Sequence, residues 1–164
     1  MALEDAEREE LETLRAERAI HRVMLAYARG VDTCDFERVR DCFHADARVE
    51  WGDWYRGSRD EAIRWLSETI PSLDGTLHVF GSPWIEVDLP SGTARCETYS
   101  INSARYPRDE AGGVVQNVAG TRYYDDFELR DGHWRIVRRR NERVWVQNTR
   151  DHVEEPPVRA RREH

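Results

Sequence analysis

Apolar residues recur with the period of an α-helix through the first 31 positions of the chain. Between residues 5 and 31 they recur at helical spacing and the other positions are mostly Glu and Arg, which is typical of a helix with one buried stripe. The stripe comprises Leu14, Ile20, Val23, Met24, Tyr27 and Val31. The first turns are almost wholly charged, so residues 1–12 are expected to form a charged helical extension. The Gly in YARGVD (27–32) is expected to provide the helix exit.

Two shorter helices are predicted downstream. In DFERVRDCF (35–43), Asp35 is a suitable N-cap, and the apolar residues fall on one side. In GSRDEAIRWLSETIPSL (57–73), Ser58 and Glu61 form a capping box, and Pro71 follows the end of the helix. The buried stripe of this third helix is predicted to be Ala62, Ile63, Leu66 and Ile70.

From residue 47 the hydrophobic period changes to two, which predicts strands. The first carries Ala47, Val49 and Trp51 on one face. Four more are predicted at 75–88, 93–106, 114–129 and 133–147, and the short turns between them favour antiparallel pairing. Helices followed by strands predict a single α+β domain over residues 1–150, in which a curved mixed or antiparallel sheet wraps around three N-terminal helices. The charged segment 151–164 is expected to be a mobile tail.

Composition and charge exclude several classes of function. The 164 residues suit one domain, and a net charge of -7 with a pI near 5.4 argues against a nucleic-acid or anionic-membrane partner. No stretch approaches the ~20 apolar residues of a membrane span, and the N-terminal sequence does not resemble a signal peptide, so a cytoplasmic location is expected. Three cysteines without C-x-x-C spacing, and a lone His44 near Asp46, predict neither a disulfide framework nor a metal site.

The order of elements, with the motifs YARGVDTCDFERVRDCFHADARVEW, GTLHVFGS and YYDDFELRDGHWRI, resembles the SnoaL-like family of the nuclear-transport-factor-two-like superfold. The resemblance covers residues from about 12 to 147 and is greatest to the branch that contains scytalone dehydratase, hexachlorocyclohexane dehydrochlorinase and bile-acid 7-alpha-dehydratase. It implies a cone-shaped α+β barrel with a cavity at its open end. It also implies an enzyme that works without a cofactor, although this superfold hosts many unrelated activities.

Within that branch, an Asp at the end of the first helix and a His on the strand after the third helix act as a catalytic dyad. The matching residues are Asp32 and His78, and Tyr27 matches a pocket Tyr five positions before the Asp. Each residue also has an ordinary interpretation: Asp32 as a helix-exit acid, His78 as a lone strand residue, and Tyr27 as part of the core. The pairing of Asp32 with His78 is what favours a catalytic role.

The resemblance also implies a basic pocket residue on the last strand, where the sequence offers three consecutive arginines. Ungapped counting points to Arg139, whereas period-two alternation from Trp134 and Ile136 turns Arg138 and Arg140 inward. A β-bulge would reconcile the two. The alternation favours Arg140 as the substrate-binding residue, and Arg139 is kept as the alternative.

The remaining pocket candidates are polar residues of one strand and several aromatic residues. In ETYSINS (97–103), Thr98, Ser100 and Asn102 share a face where scytalone dehydratase carries a second pocket His. Hydroxyls and amides orient ligands but are poor acids. The aromatic candidates, of which half or fewer are expected to touch a ligand, are Trp51, Trp54, Phe80, Trp84, Tyr123 and Trp145.

These residues predict a cofactor-independent lyase or isomerase that acts on a hydrophobic cyclic, aromatic or steroid-like substrate through Asp32 and His78. One alternative is a non-catalytic module, such as the small subunit of a ring-hydroxylating dioxygenase, whose pocket would be filled by side chains. A further alternative is a polyketide cyclase. Apolar residues on the convex face of the sheet are expected to make the protein a homodimer or homotrimer.

Overall fold

The computed structural model describes residues 2–53 and 55–151; Trp54 and residues 152–164, which include nearly all of the predicted tail, lie outside the described residues. Three helices come first: α1 (Ala2–Asp32), α2 (Phe36–Asp41) and α3 (Arg59–Thr69), with a 3-10 turn (Ile70–Ser72) after α3. The strands are β1 (Phe43–Trp51), β2 (Tyr55–Ser58), β3 (Gly75–Phe80), β4 (Trp84–Asp88), β5 (Thr93–Arg105), β6 (Val114–Arg130) and β7 (His133–Asp151). Within these residues no helix is both long and apolar enough to span a membrane.

All seven strands form one sheet, in the order β2-β1-β7-β6-β5-β3, with β4 also paired to β5. Every pair is antiparallel except β1 with β7, which run parallel. The predicted α+β class with a mixed, curved sheet around N-terminal helices is therefore confirmed. The parallel pair joins elements far apart in sequence, which the short-turn rule does not address.

Two elements are shorter in the structure than the sequence predicts. The segment 75–88 is not one strand, because Gly81, Ser82 and Pro83 separate β3 from β4. Both strands pair with β5, β3 along Ser100–Arg105 and β4 along Thr93–Glu97. The second helix ends at Asp41, so Phe43, predicted in that helix, instead begins β1.

Helix α1 packs one stripe against the sheet and extends beyond it. Ile20, Met24 and Val31 are at most 1% exposed and Tyr27 is 4% exposed. Leu14, predicted in the stripe, is 54% exposed, so the buried stripe begins at Ala16 instead. Residues 4–12 are all exposed, because this part of α1 has no neighbour among the described elements. In α3, Ala62, Ile63 and Leu66 are buried as predicted, whereas Ile70 is half-buried in the 3-10 turn.

Gly30 does not provide the helix exit, contrary to the prediction. It lies inside α1, and the left-handed residue after the helix is Cys34, with φ of 56°. A Cβ atom at Gly30 would stand 2.8 Å from Val39 Cγ2 and 3.0 Å from the Asp35 carbonyl oxygen. The glycine is therefore required because α2 packs directly on this turn of α1.

Replacing Gly30 by Ala is expected to destabilise the protein. Ala is the better helix former, by roughly 0.5–1 kcal/mol, but its methyl group would overlap backbone that cannot yield, and overpacking typically costs about 1–3 kcal/mol. Urea unfolding should therefore give a lower free energy of unfolding for Gly30→Ala. The control is Gly75→Ala, because no atom lies within 4 Å of its Cβ position. Equal stability of the two variants would contradict the close-packing explanation.

Candidate active site

Asp32 and His78 meet where the end of α1 reaches β3. The Asp32 carboxylate accepts three hydrogen bonds: from His78 Nδ1 at 2.7 Å, from the His78 backbone N–H at 2.8 Å, and from Thr76 Oγ1 at 2.9 Å. Thr76 and His78 are two positions apart in a strand, so both face the helices. Their side chains converge on one carboxylate as a result.

The hydrogen bonds decide the ionisation state of Asp32. Burial alone would raise the pKa of this carboxyl, but the hydrogen bonds from the His78 side chain and backbone and from Thr76 outweigh it and lower the pKa below its usual value. Asp32 is thus a carboxylate at neutral pH and can only accept, so the proton of the neutral imidazole is on Nδ1. Nε2 of His78 is left as the basic nitrogen, and no described residue hydrogen-bonds to it.

His78 is part of the wall of a cavity of about 330 Å³. The side chains of His78 and Asp32 are 13% and 18% exposed, and it is His78 that lines the cavity while Asp32 lies behind it. One wall is apolar and comes from α3 and the residues after it: Trp65, Leu66, Ile70 and Leu73. The facing wall comes from β5, β6 and β7 and carries Asn102, Ser103, Asn117, Thr121, Asn141 and Arg143. Tyr27, Trp51 and Tyr123 complete the lining.

Asn102 lies directly opposite His78 in the β3–β5 register and organises the polar wall. Its Oδ1 accepts from Ser100 Oγ at 3.0 Å, and its Nδ2 donates to Tyr123 Oη at 3.0 Å and Thr121 Oγ1 at 3.3 Å. Because the Tyr123 oxygen accepts from the amide, its own proton is available to the cavity. Burial raises the pKa of Tyr123, so this hydroxyl stays protonated.

A bulge in β7 turns Arg139 inward. Phe127 pairs with Ile136 and Asp126 pairs with Arg138, so Val137 is the extra residue, and the alternation of side chains shifts after it. Arg139 is fully buried, whereas Arg140 is exposed, with its guanidinium 4.1 Å from the ring of Tyr124. The preference for Arg140 as the inward residue is therefore wrong; the alternative, Arg139, which the counting argument indicated and a bulge would allow, is the residue that turns inward.

Arg139 lies beneath the cavity floor and does not line it. Its Nε and Nη2 donate to the two carboxylate oxygens of Asp125 at 2.7 and 2.9 Å. Its guanidinium carbon lies 4.0 Å from the ring centroid of Tyr27 and 4.9 Å from that of Tyr123. Burial acts to lower the pKa of Arg139, but the charge and hydrogen bonds of Asp125 outweigh it and raise the pKa. The floor thus consists of two tyrosine rings stacked on a buried cation.

Asp125 was missed by sequence reasoning. The signal was available, because Tyr123, Asp125 and Phe127 alternate and all three are buried. A carboxylate at an inward strand position requires a buried partner. Trp65 and Tyr106 of the cavity lining were missed as well. Trp65 lies off the buried stripe of α3, so helical periodicity gives no signal for it.

The other predicted pocket residues are dispersed. Phe80 is half-buried and supports the site, with its ring 5.0 Å from Tyr123 and 6.4 Å from His78. Ser100 is buried behind Asn102. Trp84 is 71% exposed and Trp145 is 46% exposed, and neither lines the cavity. With Trp54 outside the described residues, two of the six aromatic candidates, Trp51 and Tyr123, line the cavity.

Two of the three cysteines are buried, and His44 is held by a backbone contact. Cys42 and Cys96 are buried thiols, and burial raises their pKa values to about 12 and about 11. His44 Nε2 lies 2.9 Å from the Glu128 carbonyl oxygen, and Asp46 pairs with Arg130 at 2.7 Å. In the part of the chain that the structure describes, no three His, Cys, Asp or Glu residues form a group able to hold a metal ion.

Comparison with known proteins agrees with this architecture. Residues 12–140 match the SnoaL-like domain family. A putative scytalone dehydratase from Novosphingobium aromaticivorans superimposes with a TM-score of 0.74 at 23% identity, over 90% of this chain and 97% of that one. A hexachlorocyclohexane dehydrochlorinase of type 2 gives 0.76 at 16% identity, over 91% and 99% of the two chains. A putative aromatic ring hydroxylase from N. aromaticivorans gives 0.69 at 20% identity, over 83% and 94%. Comparison with curated protein sequences finds no match.

The helices, the curved sheet and the cavity between them define the nuclear-transport-factor-two-like class of α+β proteins. Within that class, the chain belongs to the SnoaL-like domain family, since the family match spans most of its length.

Removing the buried cation is expected to destabilise the protein strongly. Arg139→Met leaves Asp125 buried without its partner, and breaking a buried ion pair in this way costs about 3–5 kcal/mol. The double variant Arg139→Met with Asp125→Leu should recover part of that loss, because no uncompensated charge remains. Urea unfolding gives the free energy of unfolding of the single and of the double variant. The exposed Arg140→Gln is the control and should change the free energy of unfolding by less than about 0.5 kcal/mol. A double variant less stable than the single would contradict this account.

Proposed function

We propose that this chain is a cytoplasmic, cofactor-independent lyase or isomerase that removes a proton next to a carbonyl group of a cyclic or aromatic substrate. The observation that carries the proposal is the Asp32–His78 hydrogen bond of 2.7 Å, with the imidazole forming part of the cavity wall. A carboxylate on Nδ1 fixes the tautomer and stabilises the imidazolium, so Nε2 can act as the general base.

The first step transfers a proton from carbon to His78 Nε2. The electrons of the broken C–H bond move into the carbonyl group and form an enolate. The hydroxyl protons of Tyr123 and Tyr27 are suited to hydrogen-bond to this oxygen, and Arg139 beneath both rings stabilises negative charge at that position. Burial raises the pKa of Tyr27 as it does that of Tyr123, so both remain hydrogen-bond donors.

The second step depends on the substrate. If the β-carbon carries a hydroxyl group, the enolate electrons form a C=C bond, the C–O bond breaks, and the imidazolium of His78 or a tyrosine supplies the proton that makes water. If the substrate instead carries a C=C bond next to the carbon that loses the proton, the enolate is a dienolate, and the imidazolium of His78 returns the proton to its far carbon, so that the double bond moves into conjugation with the carbonyl group. Cyclisation of a polyketide would begin from the same enolate.

Cavity size and lining narrow the substrate. A volume of about 330 Å³ is near the lower end of the range for small-molecule sites, roughly 300–1,000 Å³. Trp51, Trp65 and the aliphatic residues of α3 favour a flat apolar ring system. A compound of one to three rings therefore suits the cavity better than a steroid. Two similar structures are named as a dehydratase and a dehydrochlorinase, and both names denote eliminations.

The non-catalytic alternative is less well supported. A module without catalytic function is expected to have its pocket filled by side chains, whereas this cavity is open and has a basic imidazole in its wall. The open cavity therefore favours an enzyme over a non-catalytic module.

His78→Ala and Asp32→Asn are each expected to lower turnover at least ~100-fold, because general base catalysis contributes about 10²–10⁴. The assay follows deuterium incorporation from D2O into a panel of ring ketones, including β-tetralone, by mass spectrometry. The matched control is His21→Ala, since His21 is exposed on α1. Thermal unfolding verifies that each variant is folded. Wild-type exchange rates in both dyad variants, or no exchange by the wild-type protein, would contradict the proposal.

We also propose that the outer face of the sheet, opposite the helices, binds a second copy of the chain. Large apolar residues there are 44–58% exposed: Leu77, Val79, Tyr99, Ile101 and Trp145. All but Leu77 line a groove whose one charged residue among those described is Arg122, with its guanidinium carbon 5.2 Å from the centroid of the Tyr99 ring. A binding partner therefore needs no charged group at this groove, and the same apolar face of another copy of the chain meets this requirement.

Analytical ultracentrifugation tests the interface. The wild-type protein should sediment as a dimer or trimer, and Ile101→Lys should shift it to monomer. Leu129→Lys is the control, because Leu129 is also 43% exposed but lies at the β6–β7 turn. A wild-type monomer, or an oligomer unaffected by Ile101→Lys, would contradict the assignment of this face.

A further inference from the structure

The cavity lining has an unusual charge composition for this protein. The chain contains 32 Asp and Glu residues among 164, and its net charge is -7. None of the described residues that line the cavity is an Asp or a Glu. The nearest carboxylate of the site, Asp32, is behind His78 and is engaged by three hydrogen bonds. An anion inside the cavity therefore meets no carboxylate in the wall.

Arg143 is the one permanent cation among the described lining residues. It lies on β7 opposite Thr121 of β6, two positions from Asn141, and all three line the cavity. Its side chain is exposed, which locates it at the cavity mouth. The neighbouring arginines Arg138 and Arg150 pair with Glu50 and Asp109, whereas no described acid lies within 4.0 Å of Arg143.

The cation and the base are at opposite sides of the cavity. Strands β7 and β3 are separated in the sheet by β6 and β5. These three strand spacings correspond to roughly 14 Å between the backbones of β7 and β3. The side chains of Arg143 and His78 both project into the space between. A ring system of two rings can therefore place a carbon at His78 Nε2 while an anionic substituent at its far end reaches the guanidinium.

We propose that Arg143 determines specificity by binding a carboxylate, so that the substrate is a cyclic or aromatic carbonyl compound that also carries a carboxylate group. The guanidinium presents paired N–H donors that match the two oxygens of a carboxylate. The amide side chain of Asn141, two positions from Arg143 and also in the lining, supplies a further hydrogen bond at this end. The proposal rests on the proposed function and adds the class of substrate.

Binding of two matched probes tests the proposal without any turnover. β-Naphthoate and β-naphthamide share one ring system and differ in charge, and calorimetry gives the affinity of each. Wild-type protein should bind the naphthoate at least tenfold more tightly than the amide. Arg143→Gln should bring the two affinities within about twofold by weakening naphthoate alone. Arg140→Gln, on the outer face, is the matched control and should retain the wild-type preference.

The outcomes separate the role of Arg143 in substrate binding from the reaction proposed for His78. Equal affinities in the wild-type protein, a preference that persists in Arg143→Gln, or binding of neither probe at millimolar concentration would each overturn the role of Arg143. His78→Ala should keep the preference for naphthoate, because the imidazole does not contact the carboxylate end. If the preference is absent while ketone exchange still depends on His78, only the substrate class is wrong. If the preference is present while exchange is independent of His78, the proposed reaction is wrong and the anion site stands.

Discussion

The attachment of the end of α1 to β3 through Asp32 is the constraint on which the site depends. Three hydrogen bonds converge on one carboxylate, two of them from side chains and one from the strand backbone. The hydrogen bond from the His78 backbone N–H attaches α1 to β3, and the hydrogen bond from His78 Nδ1 fixes the orientation of the imidazole. The same residue thus sets the position of the helix and the orientation of the base. Gly30, two residues before Asp32, lets α2 pack closely on the same end of α1, so this end of the helix contacts α2 as well as β3.

A second constraint lies beneath the cavity, where Arg139 and Asp125 form a fully buried ion pair. A buried pair of this kind is weak support for stability, since desolvation of two charges offsets most of their attraction. Nη1 of Arg139 has no hydrogen-bond partner among the described residues, which adds to that cost. The pair is better explained by its position, because a cation below Tyr27 and Tyr123 makes the cavity floor favourable for developing negative charge. The pair thus adds little to the stability of the fold, and its main effect is on the electrostatic potential of the cavity floor.

Much of this arrangement could be predicted from the sequence, and the failures have specific physical causes. Periodicity located the helices and long strands, and the motif resemblance indicated Asp32 and His78. Alternation along the last strand favoured Arg140 as the inward residue. This prediction is wrong because one extra residue, Val137, inverts the inward face, and the local sequence gives no reliable signal of such a bulge. Gly30 was interpreted as a helix exit, since close packing by a later helix cannot be seen in the local sequence. The lining by Trp65 depends on where α3 lies over the sheet, which is a property of tertiary packing.

The bulge at Val137 has a consequence for how the last strand tolerates change. Three arginines follow it in succession, and either alternation of the strand directs one of them toward Asp125. Straightening of the strand with Val137 retained would place Arg138 opposite Asp125, and deletion of Val137 would leave Arg139 there, so neither change leaves the carboxylate without a partner in the protein interior. The repeated arginine therefore keeps Asp125 paired whether or not the bulge is present, whereas straightening of the strand would turn the side chains of Asn141 and Arg143 away from the cavity.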